Sequence, residues 1–138
     1  MTLIKGISAA AILLGLTIAI PAITEELTGA ERLLCKPGRM SHCVDGQGCE
    51  YGPPGLVNIP DFIEIDLANK TLKTTEASGD ERSSPIDHSE KEAGYIYLQG
   101  VEHGRAYSIV IAESSGELAF TVATHGKTAT MFGACTVR

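Results

Sequence analysis

From residue 31 onward, apolar and polar residues alternate in short runs separated by turn signals. The clearest run is DFIEIDL (61–67), in which Ile63, Ile65 and Leu67 alternate with Glu64 and Asp66. A period of two puts one set on a buried face and the other in water, as in a strand covered on one side. Ala68-Asn69-Lys70 reads as a turn and TLKTT (71–75) as the returning strand, which together predict a hairpin. ERLLCK (31–36) predicts the first strand, stopped by Pro37-Gly38, with pairing resumed over 39–44. GYIYLQG (94–100), RAYSIVIAE (105–113), LAFTVATH (118–125) and TATMFGACTV (128–137) predict four more strands joined by short turns. Two stretches read as polar loops: 45–60, rich in glycine and proline, and 76–93, with room for a short strand at 85–88. No long amphipathic helix and no internal repeat stands out. The expected fold is all-β: a small antiparallel meander of about seven to eight strands, forming a barrel or sandwich.

Residues 1–22 follow a different pattern. Lys5 is their only charge, and ISAAAILLGLTIAI is followed by Pro21 and Ala22. A positive start, an apolar core and a small residue after a helix breaker describe a secretory signal peptide. Cleavage is expected after Ala22, with Ala30 as the second choice. Retention as an anchor is the competing reading, because the uncharged stretch approaches the ~20 residues that span a bilayer. Residues 23–138 then form a single β domain, periplasmic or secreted, that leaves the membrane on cleavage.

Composition narrows the function. A chain of 138 residues has room for one domain. Its 11 Lys+Arg stand against 17 Asp+Glu, a net charge of -6, and loss of Lys5 takes the remainder to -7. An acidic chain without a basic cluster is poorly suited to neutralising phosphates, so nucleic acid is not an expected partner. Trp is absent and aromatics are 5%, which leaves no stacking platform for bases.

Four cysteines, Cys35, Cys43, Cys49 and Cys135, are many for this length. In an oxidising compartment an even number points to disulfides, and four allow three pairings. The expected pairs are Cys43–Cys49, closing a short glycine-rich loop, and Cys35–Cys135. The second would join the first and last strands, which are neighbours in an up-and-down barrel. Closing so long a loop is worth ~4–5 kcal/mol in the chain-entropy model. The competing metal reading, with His42 beside Cys43, lacks the close cysteine pair of structural zinc sites. The sequence has no C-x-x-C, so thiol oxidoreductase chemistry is not expected.

Catalytic patterns are missing too. His42, His88, His103 and His125 fall in loops, turns or at a strand end, and none are spaced i, i+4. Asp87 and His88 are adjacent, but neighbours in an extended chain point opposite ways. No Gly-x-Ser-x-Gly elbow occurs, and the carboxylates are scattered. Asn69-Lys70-Thr71 matches a glycosylation sequon in a turn, a pattern common by chance. No enzyme activity, cofactor or metal is expected.

Tyr51, in the stapled Gly/Pro-rich loop, is a candidate contact residue. The segments GRAYS (104–108) and GKTATM (126–131) resemble, in a different residue order, the two short motifs of the bacterial periplasmic lysozyme-inhibitor family. Those motifs are built around Ser, Arg or Lys, and Tyr. The resemblance implies a non-enzymatic binding module for a protein or surface component, with Arg105, Tyr107 and Lys127 as contacts. An acidic domain favours a basic partner through long-range steering, and the module is expected to be a monomer. The alternative is a carrier of a small apolar ligand, since an eight-stranded barrel can enclose one.

Overall fold

The structure is a computed structural model and describes residues 26–138. The expected signal peptide, 1–22, lies outside the described residues. Alternation along the chain builds β1 (Arg32–Val44), β2 (Gly48–Gly52), β3 (Ile63–Asp66), β4 (Thr71–Thr74), β5 (Ser83–Pro85) and β6 (His88–Glu92). The series continues with β7 (Tyr95–Glu102), β8 (Arg105–Ala112), β9 (Glu117–Thr124) and β10 (Lys127–Val137). Single 3-10 turns at Pro54–Val57 and Glu76–Ser78 complete the regular structure among the described residues.

All pairings are antiparallel, in the order β5-β4-β3-β1-β10-β9-β8-β7-β6, with β2 attached to β1. The sheet curls into a half-barrel, and the all-β meander expected from the alternation is present. First and last strands are neighbours, and both expected disulfides form, each between directly opposed residues: Cys35 with Cys135 and Cys43 with Cys49. Two disulfides indicate an oxidising environment for the folded chain.

The strand count is ten, against the seven to eight expected, and the differences have local causes. Pro37-Gly38 does not stop the first strand. It forms a bulge between Pro37 and Met40, and β1 runs on for 13 residues. Before the bulge β1 lies between β3 and β10; after it, between β2 and β10. Gly133 lies opposite Pro37, where a Cβ would overlap the Lys36 carbonyl oxygen.

The stretch 45–60 is not all loop. Gly48–Gly52 pairs with the second half of β1 because the Cys43–Cys49 bond and the turn at 45–47 hold it there. The stretch 76–93 holds β5 and β6. Ala93 and Gly94, with φ of 51° and 82°, make the two-residue turn into β7. β6 reads HSEKE and shows no alternation, because it is a charged end strand with water on most sides.

β5 and β6 behave as one strand that changes partner. Its first part pairs with β4, its second with β7, and Ile86 and Asp87 lie between. No backbone ladder joins the two ends of the sheet. They are instead tied by local bonds: Tyr107 Oη donates to the Pro85 carbonyl, Ser84 Oγ to Glu102, and the Val101 N–H to Asp87.

The concave face carries the core. Leu33, Met40, Ile96, Leu98, Ile111 and Met131 are completely buried there, and Tyr107 meets Phe120 edge-on with centroids 6.3 Å apart. Leu27 closes the far end, its N–H donating to the Glu113 carbonyl at 2.8 Å.

At the β3–β4 turn, Asn69 donates its backbone N–H and its Nδ2 to Asp66 at 2.8 and 2.9 Å. These bonds, aided by Arg32, hold the buried Asp66 carboxyl below its usual range. The sequon nitrogen of Asn69 is thereby engaged within the turn.

Candidate functional site

One end of the half-barrel, the mouth, collects the β7–β8, β9–β10 and β1–β2 turns and the chain between β2 and β3. The two hairpins share a design. Glu102-His103-Gly104-Arg105 and Thr124-His125-Gly126-Lys127 each turn on His-Gly and continue with a basic residue. His103 and Gly104 adopt φ of 46° and 74°, the two-residue turn that matches strand twist.

Register sets what those basic residues face. Glu102 lies opposite Arg105, and Thr124 opposite Lys127. Alternation turns Arg105 and Lys127 to the concave side, on the same face as buried Tyr107 and Ala129 two residues further along each strand. Arg105 and Lys127 therefore line one groove of about 230 Å³ with His42, Leu56, Val57 and Val122.

The plug, residues 53–60, which follows β2, forms one wall of the groove with Leu56 and Val57. Two arginines hold the plug by its carbonyls: Arg105 Nη1 lies 3.5 Å from Val57 O, and Arg82 Nη1 lies 3.0 Å from Asn58 O. Arg105 also approaches Glu102 at 3.6 Å. Lys127 makes no ion pair among the described residues. Leu56, at the groove rim, is 64% exposed. The groove thus combines a free ammonium, a half-buried guanidinium and an uncovered apolar side chain.

The four expected contact residues separate in space. Arg105 and Lys127 come together in the groove. Tyr107 is 8% exposed and lies beneath it, where its ring packs on Phe120 and its hydroxyl bonds Pro85. Burial, with Asp87 and Glu102 nearby, pushes that hydroxyl up to about 12. Tyr107 therefore packs beneath the mouth and not on its surface. Tyr51 is 76% exposed, on the convex side of β2, opposite Ser41. His42 and Leu56 were missed as site residues. The sequence placed both in turn-like surroundings, and only the bulge in β1 sets which face His42 joins.

Beneath the plug a cavity of about 70 Å³ is bounded by Ile59, Ile63, Leu72 and Phe120, with Arg82 and Arg105 at its edge. That is space for a few waters. Among the described residues no cluster of three or more His, Cys, Asp or Glu could hold a metal ion. No family model matches the chain, and no curated protein or solved structure matches it significantly.

Proposed function

We propose that the chain is an exported, non-enzymatic binding module that meets a protein partner with the mouth of its half-barrel. The observation that supports this reading most directly is the convergence of Arg105 and Lys127, from two hairpins, beside the uncovered Leu56. A free cation next to exposed apolar surface suits a partner carboxylate flanked by an apolar side chain. The net charge of the whole chain steers a basic protein from a distance, while the groove takes an acidic group on contact. The two requirements fit a basic protein with an acidic cleft.

The test is capture from periplasmic or extracellular fluid by immobilised protein, compared with an Arg105→Glu/Lys127→Glu variant. A partner retained by the native chain and lost by the variant supports the reading. Equal capture by both removes the mouth from it. Lysozyme is the first partner to try, and full lysozyme activity at micromolar excess of this protein ends the inhibitor version.

A further inference from the structure

The Cys43–Cys49 crosslink lies at the mouth, and the two strands it joins are unequally covered. At that level β1 has a neighbour on each side: Cys43 faces Thr128 on β10 and Cys49 on β2. β2 has one neighbour only, because it pairs with β1 alone. The line through the two sulfurs, extended past Cys43, runs over β10; extended past Cys49, it leaves the sheet. Residues 48–51 are all exposed, and a surface hollow of about 470 Å³ opens beside both cysteines. The other disulfide has no such opening. Beyond Cys35 lies Ile63 on β3, and the Cys135 N–H is bonded to the Gly116 carbonyl at 2.8 Å, with both cysteines buried.

A thiolate opens a disulfide by attacking one sulfur along the S–S line and expelling the other. The rate depends on access to the attacked sulfur and on how readily the leaving sulfur carries charge. Here the two requirements fall on different cysteines. Cys49 is exposed at the open edge, while Cys43 is half-buried, and Ser41 Oγ lies 3.8 Å from its Sγ. A disulfide sulfur carries no hydrogen, so the hydroxyl donates, and that bond strengthens once Cys43 becomes a thiolate. Tyr51, two residues from Cys49 and on the same face of β2, is largely exposed and offers a flat apolar surface beside the attacked sulfur.

We infer that Cys43–Cys49 is an exchange site for a reducing protein dithiol, and that opening it releases the plug. The thiolate of the dithiol attacks Cys49 Sγ from the open edge and forms a mixed disulfide with it. The Cys43–Cys49 bond breaks, and its electron pair leaves on Cys43 Sγ, which Ser41 stabilises and water then protonates. The second thiol of the dithiol attacks its own neighbour in the mixed disulfide and frees Cys49. The dithiol is oxidised to a disulfide and the two cysteines are reduced. β2 buries only Gly52, and a two-stranded ribbon is marginal without further support. Leu56 rests against Gly52, where a Cβ would overlap its Cδ1, so β2 in turn seats the plug. With the bond open, β2 leaves β1, and the plug comes away from Arg105, which holds the Val57 carbonyl at 3.5 Å. The loosened segment ends at the buried Ile59, beside Asn58, whose carbonyl Arg82 holds. The groove thereby loses one wall when the bond is reduced, whichever partner the mouth meets.

The test uses protein expressed from the full sequence and a thioredoxin-type dithiol whose second cysteine is replaced by serine, so that exchange stops at the mixed disulfide. Peptide mapping without reduction is expected to place that bond on Cys49, with Cys43 open to alkylation and Cys35–Cys135 intact. Ser41→Ala should slow the exchange about threefold with its melting temperature unchanged, an effect that a merely structural serine would not have. Hydrogen exchange then reads the plug. Once Cys43–Cys49 is opened and alkylated, amides of residues 50–58 should exchange about tenfold faster, while those of β7–β9 keep their protection. Cys43→Ser with Cys49→Ser should show the same without any thiol. No mixed disulfide, one on Cys43, or equal attack on Cys35–Cys135 overturns the site. Plug amides that stay protected with the bond open overturn its release.

Discussion

Tyr107 donates its hydroxyl to the carbonyl of Pro85 across the seam where consecutive strands β5 and β6 change partner. The bond ties β8 to a strand it does not pair with. Removing it with Tyr107→Phe leaves the Pro85 carbonyl without its donor, a cost of ~1–3 kcal/mol. Denaturant unfolding of the two proteins measures it.

The same hydroxyl gives an alkaline signature. Its pKa is raised to about 12 in the fold, against 10.0 in an exposed tyrosine. Its stabilisation is therefore complete below pH 10 and is lost as pH rises through about 12. Melting curves across that window should fall more steeply for the native chain than for Tyr107→Phe.

Acid acts through a different residue. The Asp66 carboxyl is held below its usual value, first by the Asn69 side chain and then by the Asn69 N–H. Its contribution is present above the unfolded value and disappears as pH falls through the lower folded one. Asp66→Asn should flatten the acid limb of the stability curve below about pH 4, read by thermal melts against pH.

The two disulfides should differ in access. Cys49 is exposed and Cys43 half-buried, while Cys35 and Cys135 are 1% and 4% exposed. A mild reductant is expected to open Cys43–Cys49 first, which alkylation followed by peptide mass mapping will show. Replacing Cys35 and Cys135 with serine should lower stability by ~2–5 kcal/mol.

Leu56→Ala separates fold from site. Leu56 is largely exposed, so the change should move stability by less than ~0.5 kcal/mol. Capture of the partner proposed above should weaken. An unchanged affinity would show that the apolar rim of the groove is not a contact.

The strands whose one face is buried were legible in the sequence. Ile63 and Ile65, or Ile109 and Ile111, announce their face by period alone. β2 and β6 were not legible, because a crosslink and a turn place them and their side chains bury little. The Ala93-Gly94 turn was the available signal for β6. Arg105 and Lys127 stood out as candidates in the sequence, but their meeting in one groove depends on the register of three hairpin strands. The burial of Tyr107 was not legible, because the strand that covers it, β5, has three residues and no pattern.

Pairing of β1 with β10 also has a consequence in time. Leu33 and Cys35 find their partners only at residues 137 and 135, so the earliest strand to emerge waits for the last. A chain crossing a membrane N-terminus first would keep one edge of β1 open until almost all of it had passed. Contacts so distant in sequence form slowly. In such a crossing the delay would keep the chain threadable, and the crosslink between residues 35 and 135 would close only once both were across.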